Sequence, residues 1–177
     1  MTPTGPIPDS YWLIDGMVLA GPYPGADDDQ DARARVSSLL DAGIRTFIDL
    51  TEASEPIAKY DGLVQSLATE RGIEAKHLRH AVRDHGVPVE REQMQRILAT
   101  MREEMEAGRP LYVHCWGGIG RTGTVIGCWL VEEGLDGPAA IDRIAELRAR
   151  SSASRTPSPE TDGQCRYICE WLDGSSS

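Results

Sequence analysis

Apolar and polar positions follow two periods along this chain, and the changes of period mark its elements. The short apolar runs 11–14 and 17–20 flank Asp15-Gly16 and predict a two-stranded hairpin with a tight turn. Gly21-Pro22-Tyr23-Pro24-Gly25 then breaks regular structure. Residues 45–50, 73–78 and 110–114 read as buried strands. Between them lie 31–42, 61–71 and 89–107, where apolar side chains recur three and four apart: Leu63, Val64 and Leu67 in one helix, Met94, Ile97, Leu98, Met101 and Met105 in another. Gly43, Gly72 and Gly108 close these helices. After residue 114 only helical patterns follow, over 122–133, from Gly137-Pro138 to about 150, and over 164–172, with a Ser/Pro-rich loop at 151–163. This order predicts an α/β sandwich with a central mixed, mostly parallel sheet flanked by helices. The expected organisation is a single domain, 1–177, with tails at 1–10 and 173–177.

Charge and composition narrow the classes. Hydrophobic residues at 40% and charged ones at 26% fit a globular protein. A net charge of −10 argues against general affinity for nucleic acid or anionic membranes. The first ten residues lack the basic and apolar regions of a signal peptide, and the four cysteines have no framework spacing, which predicts a reducing cytoplasm and a monomer without a membrane partner. The acidic run 27–31 reads as a solvated helix start in preference to a cation site. Glu52 and Glu55 sit in a loop that is either one wall of a cleft or plain charged surface.

The chemistry is concentrated in His114-Cys115-Trp116-Gly117-Gly118-Ile119-Gly120-Arg121-Thr122-Gly123, between a buried strand and a helix. Three glycines allow positive φ, so the N–H groups of 116–121 can converge on one anion, aided by the helix N-terminus. Amides, helix and guanidinium together favour a thiolate at Cys115, a nucleophile. Arg121 can clamp two phosphate oxygens, and the Thr122 hydroxyl can donate to the sulfur as it leaves. Other readings are weaker. Gly118 to Gly123 fits a dinucleotide fingerprint, but no second strand follows the helix. A Walker loop would need Gly-Lys-Ser/Thr. A core cysteine has no use for three glycines and an arginine.

Cys-x5-Arg in this context resembles the signature of the cysteine-dependent protein tyrosine phosphatase superfamily, nearest its dual-specificity members. The resemblance runs from about residue 12 to 172. It implies a tyrosine phosphatase-like fold and hydrolysis of phosphotyrosine in protein substrates, with phosphoserine and phosphothreonine as further targets. The route is a cysteinyl-phosphate, with no cofactor or metal. It gives His114 the role of orienting the loop and makes Trp116, Gly117, Gly118, Ile119, Gly120 and Arg121 the phosphate-binding set.

Expulsion of an alkoxide or phenoxide needs a proton, so a general acid is expected on a loop above the cradle. Asp84, 31 residues before Cys115, resembles the family's acid. The Trp-Pro of the tyrosine-specific subclass is missing before it. Gln164, 49 residues after Cys115, resembles the glutamine that positions the hydrolytic water; a helix-start residue without a catalytic role is the other reading. His77, His80 and His85 match no common zinc spacing, and His85 is expected beside Asp84. Cys128 reads as core, and Cys165 and Cys169 share a helix face where a disulfide is awkward. Ile119 and the lack of lysine in the loop favour protein substrates; the alternative is a non-protein ester such as an inositol phosphate or an RNA 5′ end.

Overall fold

The computed structural model describes residues 4–173. In chain order it contains β1 (Tyr11–Ile14), β2 (Val18–Gly21), α1 (Asp29–Asp41), β3 (Thr46–Asp49), α2 (Asp61–Arg71), β4 (Lys76–Arg79), α3 (Arg91–Glu106), β5 (Leu111–His114), α4 (Gly120–Glu132), α5 (Gly137–Leu147) and α6 (Asp162–Cys169). The strands form one sheet in the order β1-β2-β5-β3-β4. Only the β1/β2 hairpin is antiparallel; β2, β5, β3 and β4 run parallel.

Side-chain alternation along the strands divides the core into two layers. Val18, Ala20, Ile48, Leu111 and Val113 face one side, where α3, α4, α5 and α6 cover them through residues such as Met94, Ile97, Val125, Ile144 and Ile168. Leu19, Phe47 and Tyr112 face the other, against Val36, Leu39 and Leu40 of α1 and Val64 and Leu67 of α2. The β5 run is buried on both faces, as a central parallel strand requires.

Local chemistry explains the element ends. Asp28 caps α1 by accepting from the Asp31 N–H at 2.8 Å, with Asp29 and Asp31 in the first turn, so the acidic run is a helix start. Asp136 caps α5 in the same way through Ala139, just ahead of Pro138. Strand β4 begins three residues later than the apolar run suggests. Gly72 ends α2 in the left-handed region, and the Ile73 N–H still donates to the Ala68 carbonyl, so 73–75 serve as the helix exit. The expected tail is also partly built in: Ile7 and Ser10 are buried, and Asp9 accepts from Ser151 and Ser152. The remaining expected tail positions, 1–3 and 174–177, lie outside the described residues.

Glu104 is a charge on the buried face of α3, three residues on from Met101. It accepts from Thr46 of β3 and Lys76 of β4, both at 2.6 Å, and from Nε and Nη2 of Arg109 at 2.7 and 3.0 Å. The Arg109 bonds, against the opposing effect of burial and with help from Lys76 and Thr46, hold its carboxyl down at about 2. A carboxylate held below its usual value stabilises the fold above about pH 4.5, and that contribution is lost as pH falls toward 2. Because Lys76 and Arg109 reach solvent, screening reduces the effect. Glu104→Gln is expected to cost about 1–2 kcal/mol at neutral pH in urea unfolding and to flatten the acid limb of stability.

Candidate active site

Parallel strands present their C-terminal ends at one edge of the sheet, and the loops after β2, β3, β4 and β5 meet there. The loop after β5 carries Cys115 and enters α4 at Gly120. Its backbone is pinned by the Tyr23 N–H, which donates to the Trp116 carbonyl at 2.8 Å. Of its three glycines only Gly118 has positive φ (71°), and a Cβ there would lie 2.3 Å from the Gly21 carbonyl carbon. Gly120 is needed for a different reason: a Cβ would come within 2.9 Å of the Glu160 carboxylate and 3.0 Å of the Gln164 amide.

A cavity of about 200 Å³ opens over this loop, lined by Cys115, Trp116, Gly117, Ile119, Gly120 and Arg121 together with Asp84, His85 and Glu160. A larger hollow of about 520 Å³ lies between 4–11 and 146–152, but no thiol lines it. Both Cys115 and Arg121 are almost fully buried. The guanidinium is turned inward. Its Nη1 donates to Glu55 Oε1 at 2.5 Å and to the Val82 carbonyl at 3.0 Å, and its Nη2 donates to Glu55 Oε2 at 3.2 Å and lies 3.2 Å from Asp84 Oδ1. Burial opposes its charge, but Glu55, Cys115 and Asp84 outweigh that and raise its basicity. Two donors at this place are buried without a partner: Arg121 Nε and Thr122 Oγ1. Buried donors are rarely left unpaired, so a cradle that leaves two open is shaped for an acceptor from outside.

Beneath the loop His114 is fully buried, and burial pushes its pKa down to about 4 against the pull of Asp49 and the Cys115 carbonyl. It is therefore neutral at physiological pH. Its Nδ1 lies 3.0 Å from the Cys115 carbonyl, which can only accept, so Nδ1 carries the proton. Nε2 is then the acceptor for the Tyr60 hydroxyl at 2.5 Å. The other histidines go to separate partners, His77 to Asp49 at 2.8 Å, His80 to Thr100 at 3.4 Å and His85 to Asp84 and Glu160. Among the described residues no group of three or more His, Cys, Asp or Glu is arranged to hold a metal ion.

Asp84 sits half-exposed at the cavity mouth, where its Oδ1 also accepts from the His85 N–H at 3.0 Å. His85 holds φ of 58°, unusual for a non-glycine residue, and its ring lies 3.6 Å from Asp84 and 3.7 Å from Glu160. Gln164 is fully buried. Its Oε1 accepts from the Glu160 and Thr161 N–H groups, its Nε2 donates to the Gly86 carbonyl at 3.0 Å, and with Thr161 it forms the capping box of α6. Gln164 thus ties the Asp84 loop to the α6 start, beside Gly120. Cys128 lies in the core, where burial raises its thiol pKa.

The sequence reading did not single out Tyr60 or Glu160, and it left Glu55 between a cleft wall and bare surface. Glu55 had one available signal, its place in the loop after β3, which shares an edge with the Cys115 loop. For Tyr60 there was none, since it reads as one more apolar position before α2.

These features define a Cys-x5-Arg anion site on a phosphatase-like α/β sandwich. Residues 9–165 match the model of the PTP-SAK family, described as "Swiss Army Knife protein, DSP-PTPase phosphatase domain", and the chain belongs to this family. A viral protein named "Putative tyrosine phosphatase 067L", from Invertebrate iridescent virus 3, is 30% identical over 125 residues, 68% of this chain and 45% of that protein. The chain spans about half the length of the curated relatives it matches. Among solved structures, the active form of Tk-PTP superposes with a TM-score of 0.70 at 24% identity, covering 94% of this chain and 97% of the other. Kinase associated phosphatase follows at 0.69 and 20%, covering 90% and 88%. Both show the shared fold.

Replacing Tyr60 by Phe removes the donor to His114 and leaves a buried acceptor unpaired. We expect a loss of about 1–3 kcal/mol in denaturant unfolding. A histidine held below its usual pKa stabilises the fold above about pH 6.5 and loses that contribution as pH falls toward 4, so the wild-type protein should weaken through this window. Stability that stays flat from pH 7 to 4 would refute the neutral, buried assignment.

Proposed function

We propose that this chain is a phosphomonoester hydrolase acting on phosphotyrosine in proteins, with phosphoserine and phosphothreonine as further substrates, through a cysteinyl-phosphate. One observation carries the reading: Arg121, whose Nε has no partner, lines one cavity with a buried thiol, a glycine loop and a helix start, and the hydroxyl of the next residue, Thr122, is buried without a partner as well. Phosphate oxygens would supply the missing acceptors.

In the first step Cys115 Sγ bonds to phosphorus as the ester P–O bond breaks, and Asp84 as carboxylic acid gives its proton to the leaving oxygen. In the second, water attacks phosphorus and passes a proton to Asp84, the S–P bond breaks, and Thr122 hydrogen-bonds the departing sulfur. Arg121 and the loop amides balance charge on the equatorial oxygens throughout. The incoming dianion competes with the Asp84 carboxylate for Nη2; once displaced from the guanidinium, the carboxylate takes a proton from solvent and becomes the acid for the leaving group. Gln164 would act by holding the Asp84 loop through Gly86. Lysine is absent from the cavity lining, which includes Asp84 and Glu160, and this disfavours substrates with several phosphates such as inositol polyphosphates.

Cys115→Ser is expected to abolish turnover of an aryl phosphate while phosphate still binds; residual activity near that of the wild type rules out the covalent route. Asp84→Asn should slow kcat/KM about 10²-fold or more and remove its alkaline fall. A profile of unchanged shape would assign the acid elsewhere.

A further inference from the structure

Among the described residues, four large apolar side chains are strongly exposed: Val89, Trp116, Leu135 and Leu172. Trp116 alone of these lines the cavity that holds Cys115. The residue is 63% exposed, and no ring contact or hydrogen bond from the described residues engages its indole, whereas its backbone is fixed by Tyr23 and by the tight packing of Gly118 on Gly21. A large aromatic ring held in water on a rigid loop leaves apolar area to be covered. Because the loop is already ordered and the side chain has only two torsions, covering that ring costs little conformational entropy.

The other segments that line the cavity bring the carboxylates of Asp84 and Glu160 and the His85 imidazole, which lies 3.6 and 3.7 Å from them. Arg121 is the one guanidinium in the lining, and Glu55 already holds it. A leaving group with further anionic groups would meet carboxylates there with no lysine or second arginine in the lining to balance them. A flat, uncharged leaving group would meet the indole.

Resting on the phosphatase reading above, we propose that Trp116 is the specificity residue of this site, a stacking platform that selects aryl phosphates, phosphotyrosine among them, over alkyl phosphates. The discrimination lies in the leaving group: a phenol ring can lie against the indole while phosphorus is held by the loop, whereas the short seryl and threonyl stems bring no ring to it.

The test compares kcat/KM for a phosphotyrosyl peptide and a phosphoseryl peptide of the same flanking sequence. Trp116→Ala should lower the aryl-to-alkyl ratio about tenfold, the scale of one aromatic stacking contact with its buried area, and Trp116→Phe should restore it to within about threefold. An unmoved ratio in Trp116→Ala overturns the platform, even if both rates fall. A second measurement does not depend on turnover. In a Cys115→Ser background, O-phosphotyrosine should change tryptophan emission more than inorganic phosphate does, and the difference should vanish when Trp116→Phe is added. A difference that survives in that double variant overturns the proposal. Should the unsubstituted protein hydrolyse neither peptide, the phosphatase reading fails, and the emission experiment still decides whether Trp116 meets an aromatic ring.

Discussion

A buried guanidinium organises the loop edge of this sheet. Arg121 lies in the first turn of α4, yet its donors reach the Leu50 carbonyl after β3, the Val82 carbonyl after β4 and Glu55 in the loop after β3. Two loops far apart in sequence, those after β3 and β4, are therefore held around one cation. Taking a charge out of water is costly unless it is paired and hydrogen-bonded, and Glu55 supplies the pairing in bidentate form. The two backbone carbonyls complete it. The position of the loops is thus coupled to the charge of a side chain that a phosphate can also use.

Directly below, a neutral group was needed. His114 packs among Tyr23, Tyr60 and Tyr112, with ring centroids 5.4 Å away in each case. A second cation there would sit unpaired beneath Arg121; burial keeps the imidazole neutral and so removes that conflict. One ring nitrogen then accepts from Tyr60 and the other donates to the carbonyl of Cys115, so the backbone at Cys115 is fixed through α2's entry residue. Asp49 is kept separate from this by His77, Thr51 and Arg79. Burial works against its ionisation, but the hydrogen bonds from His77 and Thr51 hold its carboxyl well below the usual range.

Much of the fold was legible because its signals are local. The apolar runs of β2, β3 and β5, the 3.6-residue stripe of α3 and the glycine after α2 each state their structure within a few residues. The candidate site at 114–123 was legible for the same reason, since cysteine, glycines and arginine are adjacent. What the sequence withheld is contact between distant positions. Nothing in Glu104 announces that Thr46, Lys76 and Arg109 will converge on it, and nothing in Glu55 says that Arg121 is its partner. The glycines show a subtler limit. All three permit positive φ, but only Gly118 uses it; Gly120 is there because Glu160 and Gln164 approach too closely for a side chain, and that neighbour lies some forty residues on.

An acidic protein with carboxylates around its proposed anion site looks mismatched at first, but the arrangement suits the proposed reaction, in which the site both takes and releases phosphate. A cradle of free amides with an unpaired arginine would hold its product tightly, and tight ground-state binding does not raise turnover. Here Glu55 occupies one edge of the guanidinium and remains there, while Asp84, half-exposed and 3.2 Å from Nη2, is the partner that can be exchanged. Under the proposed mechanism a phosphate dianion gains Nε, Thr122 and the loop amides but must give Asp84 up to the solvent side, where the leaving oxygen is. Release of inorganic phosphate is then helped by the return of the same carboxylate. On this reading a single exchange at Arg121 releases Asp84 to be protonated from solvent when substrate arrives, and limits the affinity for product when it leaves.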